Sequence, residues 1–252
     1  LPRRSAATEG VNQPRIWFEK LRAKTNPEES MRLDQANTLL DHLYTPFESG
    51  WQRLPNGVIH VAARTHMIGC TGAMVNWWFG FIHNTEQYLW WHPRDHLFSD
   101  WDGERGTGRY IGGTHLVHEY IGPDIYKLKI NFREPSEILN TNRFAEAKIS
   151  AAVFGYVGDL EREGYFGRLL HLVQDTPEGC VMRSRFWLGE LDPMPNPPPT
   201  PAALHEMVPD RLGAGLHAHA SEEMSILAGF LPTLYRMQHG DTRRGNADGG
   251  GR

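Results

Sequence analysis

Three short segments of the chain carry side chains able to bind a metal or move protons. Residues 77–101, WWFGFIHNTEQYLWWHPRDHLFSDW, set His83, His92 and His96 among nine aromatic side chains. An imidazole in apolar surroundings must be hydrogen-bonded or liganded, so these rings need partners. The same run is either a core corner, since Trp and Phe dominate burial wherever they occur, or the wall of a pocket for a flat ligand. Residues 114–120, THLVHEY, read as a strand. Alternation then points His115, Val117 and Glu119 to one face and Leu116, His118 and Tyr120 to the other. A glutamate on a buried face is costly unless paired or metal-bound; a solvated strand edge is the ordinary alternative. Residues 219–223, HASEE, set His219 and Glu223 four apart, on one face of a helix, where they offer one metal two donors. Glu222 points to the side. The plainer reading is a helix N-terminus whose dipole favours Glu222 and Glu223.

One element from each segment gives a mixed His/carboxylate site. Two nitrogen and two oxygen donors suit Zn²⁺, and Fe²⁺ or Mn²⁺ accept the same ligand types. Other chemistries lack their motifs. The chain has no HExxH, GxGxxG, P-loop or GxSxG sequence in a supporting context. Cys70 and Cys180 do not have metal or redox spacing. Cys70 reads as a small core residue.

These residues need a frame. The 252 residues carry 26 basic and 30 acidic side chains, a formal charge of −4, with 40% hydrophobic residues. That is enough apolar material for a real core, and the mild acidity gives no reason to expect nucleic acid. The opening LPRRSAATEG has no apolar run after it, and no 18-residue uncharged apolar stretch occurs. A soluble, cytoplasmic protein without a membrane partner is expected.

Residues 1–29 are polar and read as an arm. Met31, Leu33, Ala36, Leu39, Leu40 and Leu43 predict a helix over 30–44, capped by Ser30. Further helices are predicted over 71–81 and over 85–91, the latter with Thr85 as cap. Beyond a turn-rich loop at 102–108, strands are predicted at 110–122, 125–132, 147–157, 164–176 and 179–191. Pro177-Glu178-Gly179 marks a hairpin between the last two. Arg183, Arg185 and Trp187 share a face opposite Met182, Phe186 and Leu188. The proline-rich 192–201 reads as a stiff crossing segment. A long helix follows over 218–237, where Pro232 is a bending point, and then a frayed tail. Strands between helical ends favour α+β and one domain, residues 30–237.

TEQYLWWHPRDHLFSDW, GGTHLVHEYIG and HASEEMSILAGFLPTLY together resemble the 2,4-diacetylphloroglucinol hydrolase and phloretin hydrolase family over residues 30–237. The resemblance implies a helix-grip, Bet v 1-like fold, in which a curved antiparallel sheet wraps a long C-terminal helix. It implies a zinc enzyme that hydrolyses the carbon–carbon bond between a phloroglucinol ring and its acyl group, with a small acylphenol as substrate. A homodimer is compatible with it. The family's two His and two Glu zinc ligands fall on His96, Glu119, His219 and Glu223, and His92 competes with His96. The family's pocket residues fall on Tyr88 and His171. A further family Tyr falls on Phe186 and an Asn on Ser99, departures that bear on the acyl preference more than on the reaction. Tyr88 is expected to hold a phenolic oxygen, His171 to give or take a proton, and His115, His118 or a loosened ligating carboxylate to act as base. Two alternatives remain: another zinc-dependent hydrolase or decarboxylase of phenolic or β-keto compounds, and a non-catalytic carrier of hydrophobic ligands.

Overall fold

The computed structural model describes residues 30–41, 44–103 and 107–240. The arm at 1–29, most of the tail and part of the 102–108 loop lie outside the described residues. Eight strands form one antiparallel sheet: β1 (Gly50–Arg53), β2 (Ile59–Ile68), β3 (His96–Asp102), β4 (Thr114–Ile121), β5 (Asp124–Arg133), β6 (Ile149–Asp159), β7 (Tyr165–Thr176) and β8 (Gly179–Asp192). Their order is β1-β2-β8-β7-β6-β5-β4-β3. Helices α1 (Gly72–Phe81) and α2 (Thr85–Trp91) sit between β2 and β3 in the chain, and α3 (Pro201–Met207) precedes α4 (Asp210–His239). α4 packs mainly against β2, with further contact to β1, β4, α1 and α2. This is the helix-grip arrangement, a curved antiparallel sheet against a long C-terminal helix. No helix among the described residues is long and apolar enough to cross a membrane.

The alternation of β8 splits the protein into two apolar layers. Met182, Phe186 and Leu188 join α1, α2 and α4 in the inner core. Trp187 belongs to the outer cluster, with Leu170, Leu172, Ala36 and Leu39. Arg183 and Arg185, on the outer face, are fully buried. Glu48 receives both guanidinium groups, at 2.7 Å from Arg183 and 2.9 Å from Arg185. Burial alone would raise the Glu48 pKa, but the two arginines hold it at about 2.

Several expectations need correction. Residues 33–40 form a 3-10 helix entered at Arg32, whose backbone N–H donates to Gln35 Oε1 at 2.9 Å. Ser30 instead places its hydroxyl 2.6 Å from His60 Nδ1. Asn84, not Thr85, caps α2 by accepting from Gln87 N. Thr85 ties α2 to β3 through the Ser99 backbone. Strands β1, β2 and β3 and helix α3 have no counterpart in the sequence-based expectation.

The largest shift concerns α4, which begins eight residues before the expected Ala218. Gly213 and Gly215 weaken the helical pattern there. Tertiary packing requires them small: a Cβ at Gly213 would stand 2.8 Å from Ile59 Cγ2, and one at Gly215 would stand 3.0 Å from Gly122 N. Leu212 and Leu216 continue the buried stripe of His219, Ala220, Glu223 and Leu227. Glu222 and Glu223 therefore lie in mid-helix, beyond the first-turn range of the dipole, which removes the plainer account of them.

Candidate metal centre

His96 starts β3 directly opposite Glu119 of β4. His219 and Glu223 face the same point from α4. The four side chains are buried. His96 Nε2 lies 3.8 Å from Glu119 Oε2 and 3.6 Å from Glu223 Oε2. His219 Nε2 lies 3.9 Å from Glu119 Oε2 and 3.7 Å from Glu223 Oε2. A tetrahedral zinc site with bonds of about 2.0–2.2 Å has donor separations of roughly 3.3–3.6 Å, so these four His–Glu separations are up to a few tenths of an ångström wide of one. His96, His219 and Glu223 form a group whose donor atoms all lie within 4.8 Å of one another, and Glu119 adjoins it.

A β-bulge places His96. His96 and Ser99 are both buried although three residues apart, a spacing that regular alternation sends to opposite faces. The register shift between His96 and Phe98 absorbs the extra residue and turns both inward.

Neighbouring groups fix both imidazoles as donors to a metal. His96 Nδ1 lies 2.9 Å from the Tyr88 carbonyl, which can only accept, so Nδ1 carries the proton. Its Nε2 lone pair faces the carboxylates and is buried without a hydrogen-bond partner. His219 Nδ1 lies 3.3 Å from Asp95 Oδ2 and donates to it, which frees Nε2 in the same way. A carboxylate behind a histidine is the usual support of a metal ligand. His92 is arranged oppositely. Its Nδ1 accepts from Asp95 N at 3.2 Å, so neutral His92 carries its proton on Nε2, 3.4 Å from Asp95 Oδ2. It stacks on His219 at 5.1 Å between ring centroids. His92, Asp95 and His219 form a second group whose donor atoms all lie within 4.8 Å of one another, adjoining the first through His219.

The donor set can accept a cation. Two buried carboxylates face two imidazoles that their neighbours arrange as lone-pair donors. Burial pushes the Glu223 carboxyl up to about 7, against the pull of His219 and His92. Burial lowers His219, but Glu223, Glu119 and Asp95 outweigh it and hold the imidazole above its ordinary value. Burial brings His96 down to about 4. Without a cation the cluster thus takes up protons, and a divalent ion would displace them.

The other candidates divide by position. Tyr88 is fully buried, stacks on His96 with 3.6 Å between ring centroids, and donates its hydroxyl to Glu119 in a short hydrogen bond. In this arrangement it orients Glu119, and its hydroxyl is not free for a phenol. His115 shares the Glu119 face, lies 2.7 Å from Ser99 Oγ through Nε2 and stacks on Trp101 at 4.6 Å. His171 lies 2.8 Å from Ser184 Oγ and packs on Phe79 and Phe186. Burial brings each of these two histidines down to about 3, so both are neutral at physiological pH. His118 is corrected outright as a base: it points to the opposite face of β4, half-buried, where it packs on Phe98.

Much of the aromatic run is core: Trp78, Phe79, Tyr88, Trp91 and Trp101 are buried, whereas Trp90 and Phe98 are exposed. Trp91 packs edge-on against Trp78 and Phe79, and its indole N–H donates to the Glu223 carbonyl at 3.1 Å. The cavity beside Glu119 is lined instead by aliphatic side chains with Tyr126, Phe166 and Phe186. Asp95 was missed in the sequence. Its signal was there, a carboxylate in WWHPRDH one residue before a candidate ligand, because metal-binding histidines need such partners.

The family model for the DAPG hydrolase PhiG domain matches residues 31–236. The chain is 30% identical to a 2,4-diacetylphloroglucinol hydrolase of Pseudomonas protegens, over 81% of this chain and 73% of that protein. It is 26% identical to a phloretin hydrolase of Eubacterium ramulus, over 83% of this chain and 79% of that protein. Among solved structures, protein Ms6760 of Mycobacterium smegmatis matches with a TM-score of 0.44 and 12% identity, over 74% of this chain and 98% of that one.

Proposed function

The chain belongs to the DAPG hydrolase PhiG domain family, and from that premise we propose that it hydrolyses the carbon–carbon bond between a phloroglucinol-type ring and its acyl group. Zn²⁺ is the metal this reading assigns, held by His96, Glu119, His219 and Glu223. The observation that carries the assignment is the orphaned, buried Nε2 of His96 among two carboxylates and a second imidazole. Bound Zn²⁺ supplies a Lewis acid that activates water and polarises a carbonyl oxygen at neutral pH.

The reaction adds the hydroxyl of water to the acyl carbon and its proton to the ring carbon, and the bond between them breaks. The products are the free phenol and a carboxylic acid. Tyr88 holds Glu119 in place and keeps a proton at its Oη beside the reacting centre. His171, neutral and fastened to Ser184, packs on Phe186 of the cavity wall and is assigned as a hydrogen-bonding imidazole on the ring side. His115 and Ser99 hold Tyr88 and Trp101 from behind. The inner core excludes bulk water, which strengthens each of these polar contacts.

The test is metal analysis followed by incubation with phloretin and monoacetylphloroglucinol, with product identification. His219→Ala and Glu223→Ala are expected to lose both zinc and turnover. Full activity in a metal-free variant refutes the scheme. Carbon dioxide release in place of acid and phenol assigns a decarboxylase, and binding without any product assigns a carrier.

A further inference from the structure

Glu119 lines an apolar cavity of about 50 Å³. An engineered apolar cavity that admits benzene measures about 150 Å³, so an aromatic ring does not fit within this space as it stands. Beyond it lies a pocket of about 680 Å³ that reaches the surface, with Lys127, Glu161, Arg162 and Asp192 on its rim. Tyr126, Leu128, Phe166 and Leu212 line both spaces and form the partition between them.

The partition is close to the metal ligands. Tyr126 stands directly opposite Glu119 in the β4–β5 register. Leu212 precedes His219 on α4 by seven residues, about 10 Å of helix. Leu128 and Leu212 are buried, whereas Tyr126 and Phe166 are half-buried. The two rings are therefore the partly solvent-exposed members of the partition, and exposed side chains change rotamer readily.

We propose that Tyr126, Phe166 and Leu212 form the aperture through which an acylphenol reaches the metal ligands, and that bound substrate spans it. The carbonyl lies at the ligands and the distal part of the molecule lies in the outer pocket. The width of the aperture selects the cross-section admitted. The charged rim selects a distal part that carries hydroxyl groups. This rests on the function proposed above for the same site.

Tyr126→Trp and Leu212→Phe narrow the aperture, and Phe166→Ala widens it. Both narrowing variants are expected to bind zinc as the wild type does and to lose about tenfold or more in kcat/KM for phloretin, the scale on which a pocket discriminates by size. Phe166→Ala is expected to raise the ratio of kcat/KM for phloretin over monoacetylphloroglucinol. The half-exposed Tyr126 position keeps the test open where Leu212→Phe fails to fold. Folded, zinc-loaded variants with unchanged kcat/KM and unchanged ratio overturn the aperture. Wild-type protein that hydrolyses neither compound overturns the function proposed above. Calorimetric titration of monoacetylphloroglucinol then still decides the aperture: weakened binding in the narrowing variants supports it, and unchanged binding overturns it.

Discussion

Lowering the pH from 8 to 6 is expected to weaken zinc binding by about tenfold or more, because Glu223 must lose a proton before it can act as a ligand. Burial places its carboxyl at about 7 in the metal-free protein. The apparent dissociation constant scales with one plus the ratio of protonated to ionised carboxyl, about 1.1 at pH 8 and about 11 at pH 6. His219 is also raised above its ordinary value and must release its proton, which steepens the dependence further. Stability follows the same sign. A carboxyl whose folded pKa lies above its unfolded 4.5 favours folding below 4.5, and that contribution is lost as pH rises through about 7. The metal-free protein therefore loses about 1 kcal/mol from Glu223 between pH 6 and 8, or a few degrees in Tm. Zinc reverses the order. The assay is a competition titration against a chromogenic chelator at pH 6, 7 and 8, corrected for protonation of the chelator. A dissociation constant that changes less than about threefold over this range refutes the placement of a proton on Glu223 in the empty site.

Asp95→Asn is expected to weaken zinc binding by roughly 10–100-fold with little change in fold, because it weakens the support behind His219 Nδ1; the same chelator titration reads it. Glu48→Gln leaves buried Arg183 and Arg185 without their carboxylate and is expected to cost about 3–5 kcal/mol in urea unfolding at pH 7. In the wild type, the stabilisation from Glu48 is complete above pH 4.5 and lost as pH falls toward about 2, so the gap between wild type and variant closes in acid. Gly213→Ala sets a methyl against Ile59 and Trp51 and is expected to destabilise by about 1–2 kcal/mol, whereas Gly229→Ala, whose methyl meets nothing within 4 Å beyond its own stretch of helix, stabilises by up to about 1 kcal/mol. Thermal melts of the two variants side by side test this contrast.

Local patterns in the chain determined a good deal. Period-2 alternation in THLVHEY put His115 and Glu119 on one face and, read consistently, already sent His118 to the other. The four-residue spacing of His219 and Glu223 is a property of any helix and holds whatever the helix packs against. The hairpin at Pro177-Glu178 and the two faces of β8 follow from turn chemistry and side-chain alternation in the same local way.

Tertiary structure decided what depends on non-local partners. That His96 faces Glu119 turns on a bulge in β3, and a bulge exists only in the pairing of two strands. The tautomers of His96 and His219 are set by the Tyr88 carbonyl and by Asp95, eight and 124 residues away in the chain. The early start of α4 runs against the helix propensity of Gly213 and Gly215, and packing against β2 and the β4–β5 turn overrides it. The aromatic run could line a pocket or fill a core on composition alone. Edge-to-face contacts commit Trp78, Phe79 and Trp91 to the core, because a ring already surrounded by other rings has no face left to offer a ligand, while Trp90 and Phe98 of the same run are exposed.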